Sequence, residues 1–194
     1  EGGASTSSAI AANMLDITTG APGPGLSGVD WVAQDVSALY ATPLSTNSCD
    51  LTWQFNMRTS RADPNGFLVG NYGNAFILAG SSLDPTTGTG YAVIHGEATA
   101  GAVDYLRLVR YSAGIATNVS IITGTTDFGN QYLAVRVVYT PTTNTWQLYS
   151  ASGVAFPSPA SAAFLEGTVV DGTYVGVPLP FTACFFRHNT AAAD

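Results

Sequence analysis

Glycoside hydrolysis requires two carboxyl groups about 5 to 9 Å apart across the scissile bond, one as acid and one as nucleophile or base. The chain has three glutamates, Glu1, Glu97 and Glu166, and no Glu-x-Asp-x-x-Glu strand that would present a pair on one face. A β-elimination base could be His95 in V-I-H-G-E. That reaction also needs a cation for the substrate carboxylate and a Tyr or His to move protons, and the sequence contains no Lys. His95 therefore reads as a hydrogen-bonded surface residue at a strand end. His188 beside Arg187 has no Ser or Asp context for a triad. Phosphate loops, His-Glu-x-x-His and serine hydrolase motifs are absent, so the expectation is a protein that is not an enzyme.

Sugar recognition asks for an exposed aromatic ring beside fixed polar groups. Trp31, in G-V-D-W-V-A-Q-D, and Tyr72 and Tyr91, beside Gly- and Asn-rich loops, are the candidate rings. Trp53 and Trp146 lie on alternating strands and are assigned to the core. Arg107 and Arg110 are the candidate polar partners, with Arg58 and Arg136 on similar faces. The competing reading has these arginines covering a sheet face and pairing with scattered Asp. Calcium wants six to eight oxygens. Asp84 in L-D-P-T-T-G-T-G and Asp127 with Asn130 in T-D-F-G-N are its candidate ligands, with Asp30 and Asp35 as a weaker set.

The two cysteines, Cys49 and Cys184, open and close the strand-rich region and are too far apart in sequence for a zinc framework. They are expected to form a disulfide, which would place the protein in an oxidising, extracellular setting; two separate thiols are the alternative. The sequon Asn118-Val119-Ser120 is too short a pattern to carry weight.

The elements that must position these groups are strands. A chain of 194 residues with 46% hydrophobic and 10% charged residues suits one β-rich globular domain. The net charge of −7 disfavours nucleic acid and anionic membrane, and no apolar run reaches a membrane span. In C-D-L-T-W-Q-F-N-M-R, Leu51, Trp53, Phe55 and Met57 alternate with Thr52, Gln54, Asn56 and Arg58. Further strands are expected over 66–70, 74–79, 91–96, 103–112, 118–123, 132–140, 145–150, 167–177 and 179–187. Gly114 should turn one hairpin and the Thr140–Asn144 segment another. Residues 7–16 and 159–166 read as loop or short helix. The first 27 residues form an N-terminal extension or edge strand that would pair within the domain or pack on a neighbour. Residues 28–194 form the sandwich.

The ordered set C-D-L-T-W-Q-F-N-M-R, G-Y-A-V-I-H-G, L-R-L-V-R-Y-S-A-G and Y-L-A-V-R-V-V-Y-T-P-T-T-N-T-W-Q-L-Y resembles the concanavalin A-like lectin/glucanase (laminin G-like) jelly rolls. It is similar above all to those of large secreted surface proteins of Bacteroidetes. The resemblance runs from about Trp31 to Arg187 and rests on strand pattern and aromatic placement. It implies an all-β, two-sheet antiparallel jelly-roll sandwich, an extracellular or cell-surface location, and glycan-binding or adhesive roles, with calcium bound in some relatives. Such relatives usually finish with a further aromatic-and-Asp strand, whereas this sequence ends at Ala-Ala-Ala-Asp194. The Gln-Ile-His of alginate-lyase-type jelly rolls is similar to Val93–His95, but the Arg-rich and Tyr/Lys strands of that family are missing. The expectation is a non-catalytic adhesive or carbohydrate-binding module whose partner is a glycan. A subunit of an extracellular filament or surface layer, joined to neighbours by strand addition, is the alternative, and a polysaccharide lyase is third.

Overall fold

The computed structural model describes residues 28–59, 62–67, 73–96 and 103–187 in full, with the backbone of strands at 2–3, 6–11, 14–19, 27 and 188–189. The strands are β1 (Gly2–Gly3), β2 (Thr6–Ala11), β3 (Met14–Thr19), β4 (Ser27–Asp35), β5 (Leu51–Met57), β6 (Gly73–Gly80), β7 (Thr89–His95), β8 (Leu106–Ser112), β9 (Asn118–Thr123), β10 (Tyr132–Thr140), β11 (Thr145–Gly153), β12 (Phe164–Val170) and β13 (Phe181–Asn189). Among the described residues, two short 3-10 turns, Leu44–Thr46 and Pro159–Ser161, interrupt them.

Two antiparallel sheets face one another as a lectin-like jelly-roll sandwich. One has seven strands in the order β1-β4-β13-β6-β7-β8-β9, the other four in the order β12-β11-β10-β5. Alternation along the strands explains the layering. Leu78, Tyr91, Val93, Leu106 and Leu108 of the large sheet meet Phe55, Met57, Leu133, Val135, Val137, Trp146 and Leu148 of the small one. The opposite parity of the large sheet, Ala75, Ile77, Ala92, Ile94, Val109, Tyr111, Ala183 and Phe185, forms a second apolar layer on its outer face. Phe67 and Ile115, from loops, join that layer. This explains why β6, β7 and β8 read as near-continuous apolar runs: they are buried on both sides.

Both expected hairpins form. Gly114 takes φ +92°, and a Cβ there would lie 2.1 Å from the Thr86 carbonyl oxygen, so the β8–β9 turn and the β6–β7 loop require glycine to meet this closely. Asn144 takes φ 53° at the β10–β11 turn. Other expectations are corrected. The described residues of 7–16 lie in strands, β2 and β3, which pair antiparallel beside β4. The stretch around Trp31 is a full strand, β4, paired on both edges. Residues 171–177 leave the sheet as a loop, and of 66–70 only Gly66 and Phe67 are described, outside any strand.

The expected disulfide is absent: Cys49 and Cys184 are both free thiols. Bridging them requires the first and last strands of the sandwich to be neighbours. Cys49 instead precedes β5, an edge of the small sheet, whereas Cys184 sits in β13, deep in the large sheet between β4 and β6. Burial pushes the Cys184 thiol up to about 11.

Candidate functional site

Strand β5 pairs with β10 on one side and with nothing on the other among the described residues. Its inward side chains therefore close the core on one flank and face an opening on the other. The segment between β4 and β5 forms the far wall. Asn47 shapes it: the amide accepts from Ala41 N at 2.9 Å and donates to the Ala41 and Leu44 carbonyls at 2.8 and 2.9 Å. Leu44 anchors it in the core. The result is a cleft of about 370 Å³ lined by Val36, Leu39, Tyr40, Asp50, Leu51, Thr52, Trp53, Phe76 and Thr182.

Three aromatic rings set its shape. Trp53 stacks inward on the fully buried Trp146, with centroids 5.9 Å apart and planes 18° from parallel. Tyr40 meets Trp53 edge-on at 6.0 Å, and its hydroxyl donates to the Leu179 carbonyl at 3.2 Å. Burial, helped by the Asp35 charge, pushes the Tyr40 phenol up to about 12, so it stays a donor at neutral pH. Phe76 stacks on Phe55 at 4.0 Å. The polar lining is one carboxylate, Asp50, and the hydroxyls of Thr52 and Thr182, of which Thr182 donates to the Ile77 carbonyl at 2.6 Å. Leu39, 79% exposed, stands at the rim.

The residues singled out from sequence lie elsewhere. Tyr91 is fully buried; its hydroxyl donates to Asp171 Oδ1 at 2.8 Å and accepts from Tyr174 N at 3.1 Å. Arg110 pairs with the other oxygen of Asp171, whose main-chain carbonyl accepts from Trp146 Nε1 at 3.1 Å. Burial alone would raise the Asp171 pKa, but bonds from Thr173, Tyr91 and Arg110 outweigh it and hold the carboxyl below its usual value. Arg107 is 2% exposed on the outer face of the large sheet. Its guanidinium donates to the Gly96 and Gly66 carbonyls, both at 2.8 Å, and to Ser120 Oγ at 2.9 Å. Arg107 and Tyr91 are thus buried in the fold and closed to a ligand, and Arg110, its side chain 33% exposed, is tied to Asp171, so the three form no common binding set. Trp31 packs half-buried on the outer apolar layer, in register with Phe185. Tyr72 lies outside the described residues.

The calcium candidates do not converge. Asp84 precedes β7 and caps its own loop, accepting from Thr86 N at 2.9 Å and Thr86 Oγ1 at 2.6 Å. Asp127 lies beyond the other end of that strand and accepts from Asp104 N at 3.0 Å. Seven strand residues, about 20 Å, separate the two ends. Asn130 gives its main-chain carbonyl to Arg58 Nε. Among the described residues, no three His, Cys, Asp or Glu side chains form a group able to hold a metal.

His95 is not a surface residue. It is fully buried at the end of β7, neither ring nitrogen has a partner among the described residues, and burial drives its pKa down to about 4 against the opposing pull of Asp127. Glu166 is also internal: it sits at the β11–β12 bulge and accepts from Ser150 Oγ at 2.6 Å and from Thr125 and Thr126 N at 2.7 and 3.2 Å. The sequon's Asn118 amide donates to the Ile115 carbonyl at 2.9 Å, so it is already committed.

Sequence reasoning missed Tyr40, Asp50 and Phe76, and placed Trp53 wholly in the core. The alternation of β5 correctly turned Trp53 inward. That β5 is an edge strand, so that an inward ring still meets an opening, depends on long-range pairing.

No protein-family profile matches the chain, and no curated protein matches it by sequence. Solved structures do. The chain is similar to lectin I-B4 of Griffonia simplicifolia in its metal-free form, with a TM-score of 0.52 and 12% identity over 97% of this chain and 85% of that one. It is also similar to peanut lectin bound to a nine-residue peptide, with a TM-score of 0.53, 11% identity, and 97% and 83% of the two chains covered. A third is the lectin UEA-II in complex with galactose, at 0.52 and 12%, with 97% and 84% covered. At these identities the likeness establishes the fold.

Proposed function

We propose that this protein is a non-catalytic carbohydrate-binding module, acting outside the cell or at its surface, whose site is the cleft along β5. The observation that carries the reading is Trp53: backed by the buried Trp146, it borders an open cleft that also holds Asp50, Thr52 and Thr182. A sugar offers an apolar face for such a ring and hydroxyls for a carboxylate and threonine side chains. The fold shared with lectins, one of them solved with galactose, supports the same reading. Binding without hydrolysis fits the lining, which supplies one carboxylate where a glycosidase needs two. With an acid and no cation among its lining residues, the cleft suits a neutral sugar. A neutral-glycan array probed with the wild-type protein and with Trp53→Ala tests it: a set of glycans bound by the first and lost by the second supports the reading, and no bound glycan overturns it.

A second reading is favoured by β5 itself. It is an edge strand of seven residues, L-T-W-Q-F-N-M, without a charge or a proline to discourage strand addition. A neighbouring subunit added there would occlude the cleft. Light scattering during size-exclusion chromatography separates the two: a sugar-binding module elutes at about 20 kDa, and an assembling subunit elutes as larger species whose formation competes with glycan.

A further inference from the structure

The outer face of the small sheet carries a guanidinium, Arg136, that does not line the cleft. Across four strands, Gln54, Arg136, Tyr149 and Leu165 stand in register, and beside them Thr52, Val138, Gln147 and Thr168 form a second row. Part of the face is covered: the Pro157 carbonyl accepts from Asn56 Nδ2 at 2.9 Å, and Phe156 packs on Tyr132. The half holding the two rows stays open, with Thr52, Gln54 and Thr168 exposed and Leu165 46% exposed.

Arg136 is held in place on this half. Its guanidinium carbon lies 3.8 Å from the centroid of the Tyr149 ring, and its Nε donates to the Ala162 carbonyl at 3.0 Å. The terminal nitrogens, the fork that reads a carboxylate, bond to nothing in the protein among the described residues. No Asp or Glu lies in either row, and the nearby Glu166 is turned inward onto Ser150 and Thr125. A chain of net charge −7 thus keeps the Arg136 guanidinium ordered and without an acidic partner among the described residues, while Arg58, on Tyr132 and the Asn130 carbonyl, is a second guanidinium toward the other end of β5.

We propose that Arg136 is the centre of a second binding site, which takes the carboxylate of an acidic sugar. The stack on Tyr149 and the Nε bond fix the fork before binding, so little side-chain freedom remains to be lost. The neighbours decide the ligand class. Single-stranded nucleic acid carries a charge about every 3.4 Å and needs a run of cations. One cation set among the hydroxyls of Thr52 and Thr168 and the amides of Gln54 and Gln147 matches one carboxylate in an otherwise hydroxylated ligand. The site centres on Arg136, which is not among the residues lining the cleft, although Thr52 borders both, and it stands whether or not the cleft binds sugar.

The test is calorimetric titration at low salt with methyl galactosiduronate, which carries one carboxylate, and with its methyl ester, which removes that charge and adds one methyl group. The acid should bind about tenfold or more tightly than the ester. Arg136→Gln should bind the acid as weakly as wild type binds the ester. Gln54→Glu should do the same, because it sets a carboxylate opposite Arg136 and leaves the Tyr149 and Ala162 contacts in place. Arg187→Gln, an equal change of charge on the large sheet, should bind like wild type. No binding of the acid, equal binding of acid and ester, or wild-type affinity in both variants would overturn the proposal. So would poly-glutamate binding as tightly and with the same dependence on Arg136, which would make the partner an acidic protein surface.

Discussion

The indole of Trp53 lies nearly flat against that of Trp146, 5.9 Å from centroid to centroid, and so joins the open cleft to the closed core. The same ring must then serve stability and recognition. Trp53→Ala is expected to cost about 2–4 kcal/mol in denaturant unfolding, less than a fully buried Trp because one flank already meets the opening. Trp53→Phe keeps an aromatic surface and should recover more than half of that loss. Wild-type stability in Trp53→Ala would mean that the stack contributes nothing to the fold.

Arg107 spans the outer face of the large sheet and holds residues 62–67 against it through the Gly66 carbonyl. Arg107→Met should destabilise the fold by about 2–4 kcal/mol, because buried carbonyls lose their donors. It should leave glycan affinity in the cleft unchanged, since the side chain is closed to ligand. Measuring both quantities on one preparation separates the structural role found here from the binding role its sequence position suggests.

The buried His95 makes stability depend on pH. Its folded-state pKa, about 4, lies below the ordinary value of 6.5, so the folded state favours the neutral ring. As pH falls below about 6.5 the unfolded chain takes up a proton that the folded chain refuses, and stability declines until about pH 4. The shift corresponds to about 3 kcal/mol over that window. Urea midpoints should fall accordingly, and His95→Leu should flatten the slope between pH 6.5 and 4. An equal slope in both proteins would show that other groups set it.

Much of the fold was legible because period-2 alternation is local. The parity of Leu51–Met57 and both hairpin turns could be read residue by residue, and they stand as read. The errors share one physical origin. Whether a polar or aromatic residue near a strand end is exposed depends on which strand lies beside it and on what covers the sheet. Tyr91 and Arg107 carry the composition of a binding site, but a loop, a second apolar layer and Asp171 enclose them. Trp53 carries the composition of a core residue, yet β5 has no second neighbour among the described residues, and this opens it. The disulfide failed in the same way: the cysteines bracket the β region in sequence, while β5 and β13 belong to different sheets.

The cysteines should therefore differ in reactivity without affecting stability. Cys49 is exposed and should react with a thiol reagent within minutes, whereas the half-buried Cys184, its thiol pushed up to about 11, should react far more slowly. Reductant should leave the melting temperature unchanged. A fall in melting temperature on reduction, with no thiol titratable beforehand, would restore the bridge.

The measurement that bears most directly on the central claim follows the three indole N–H resonances, Trp31, Trp53 and Trp146, while a neutral oligosaccharide chosen from the array is titrated in. The Trp146 indole donates to the Asp171 carbonyl deep in the core, and Trp31 packs on the far face of the large sheet. Binding in the cleft predicts a saturable shift of the Trp53 resonance, with the other two nearly still. Saturable binding that leaves Trp53 unmoved would place the sugar elsewhere and contradict the account.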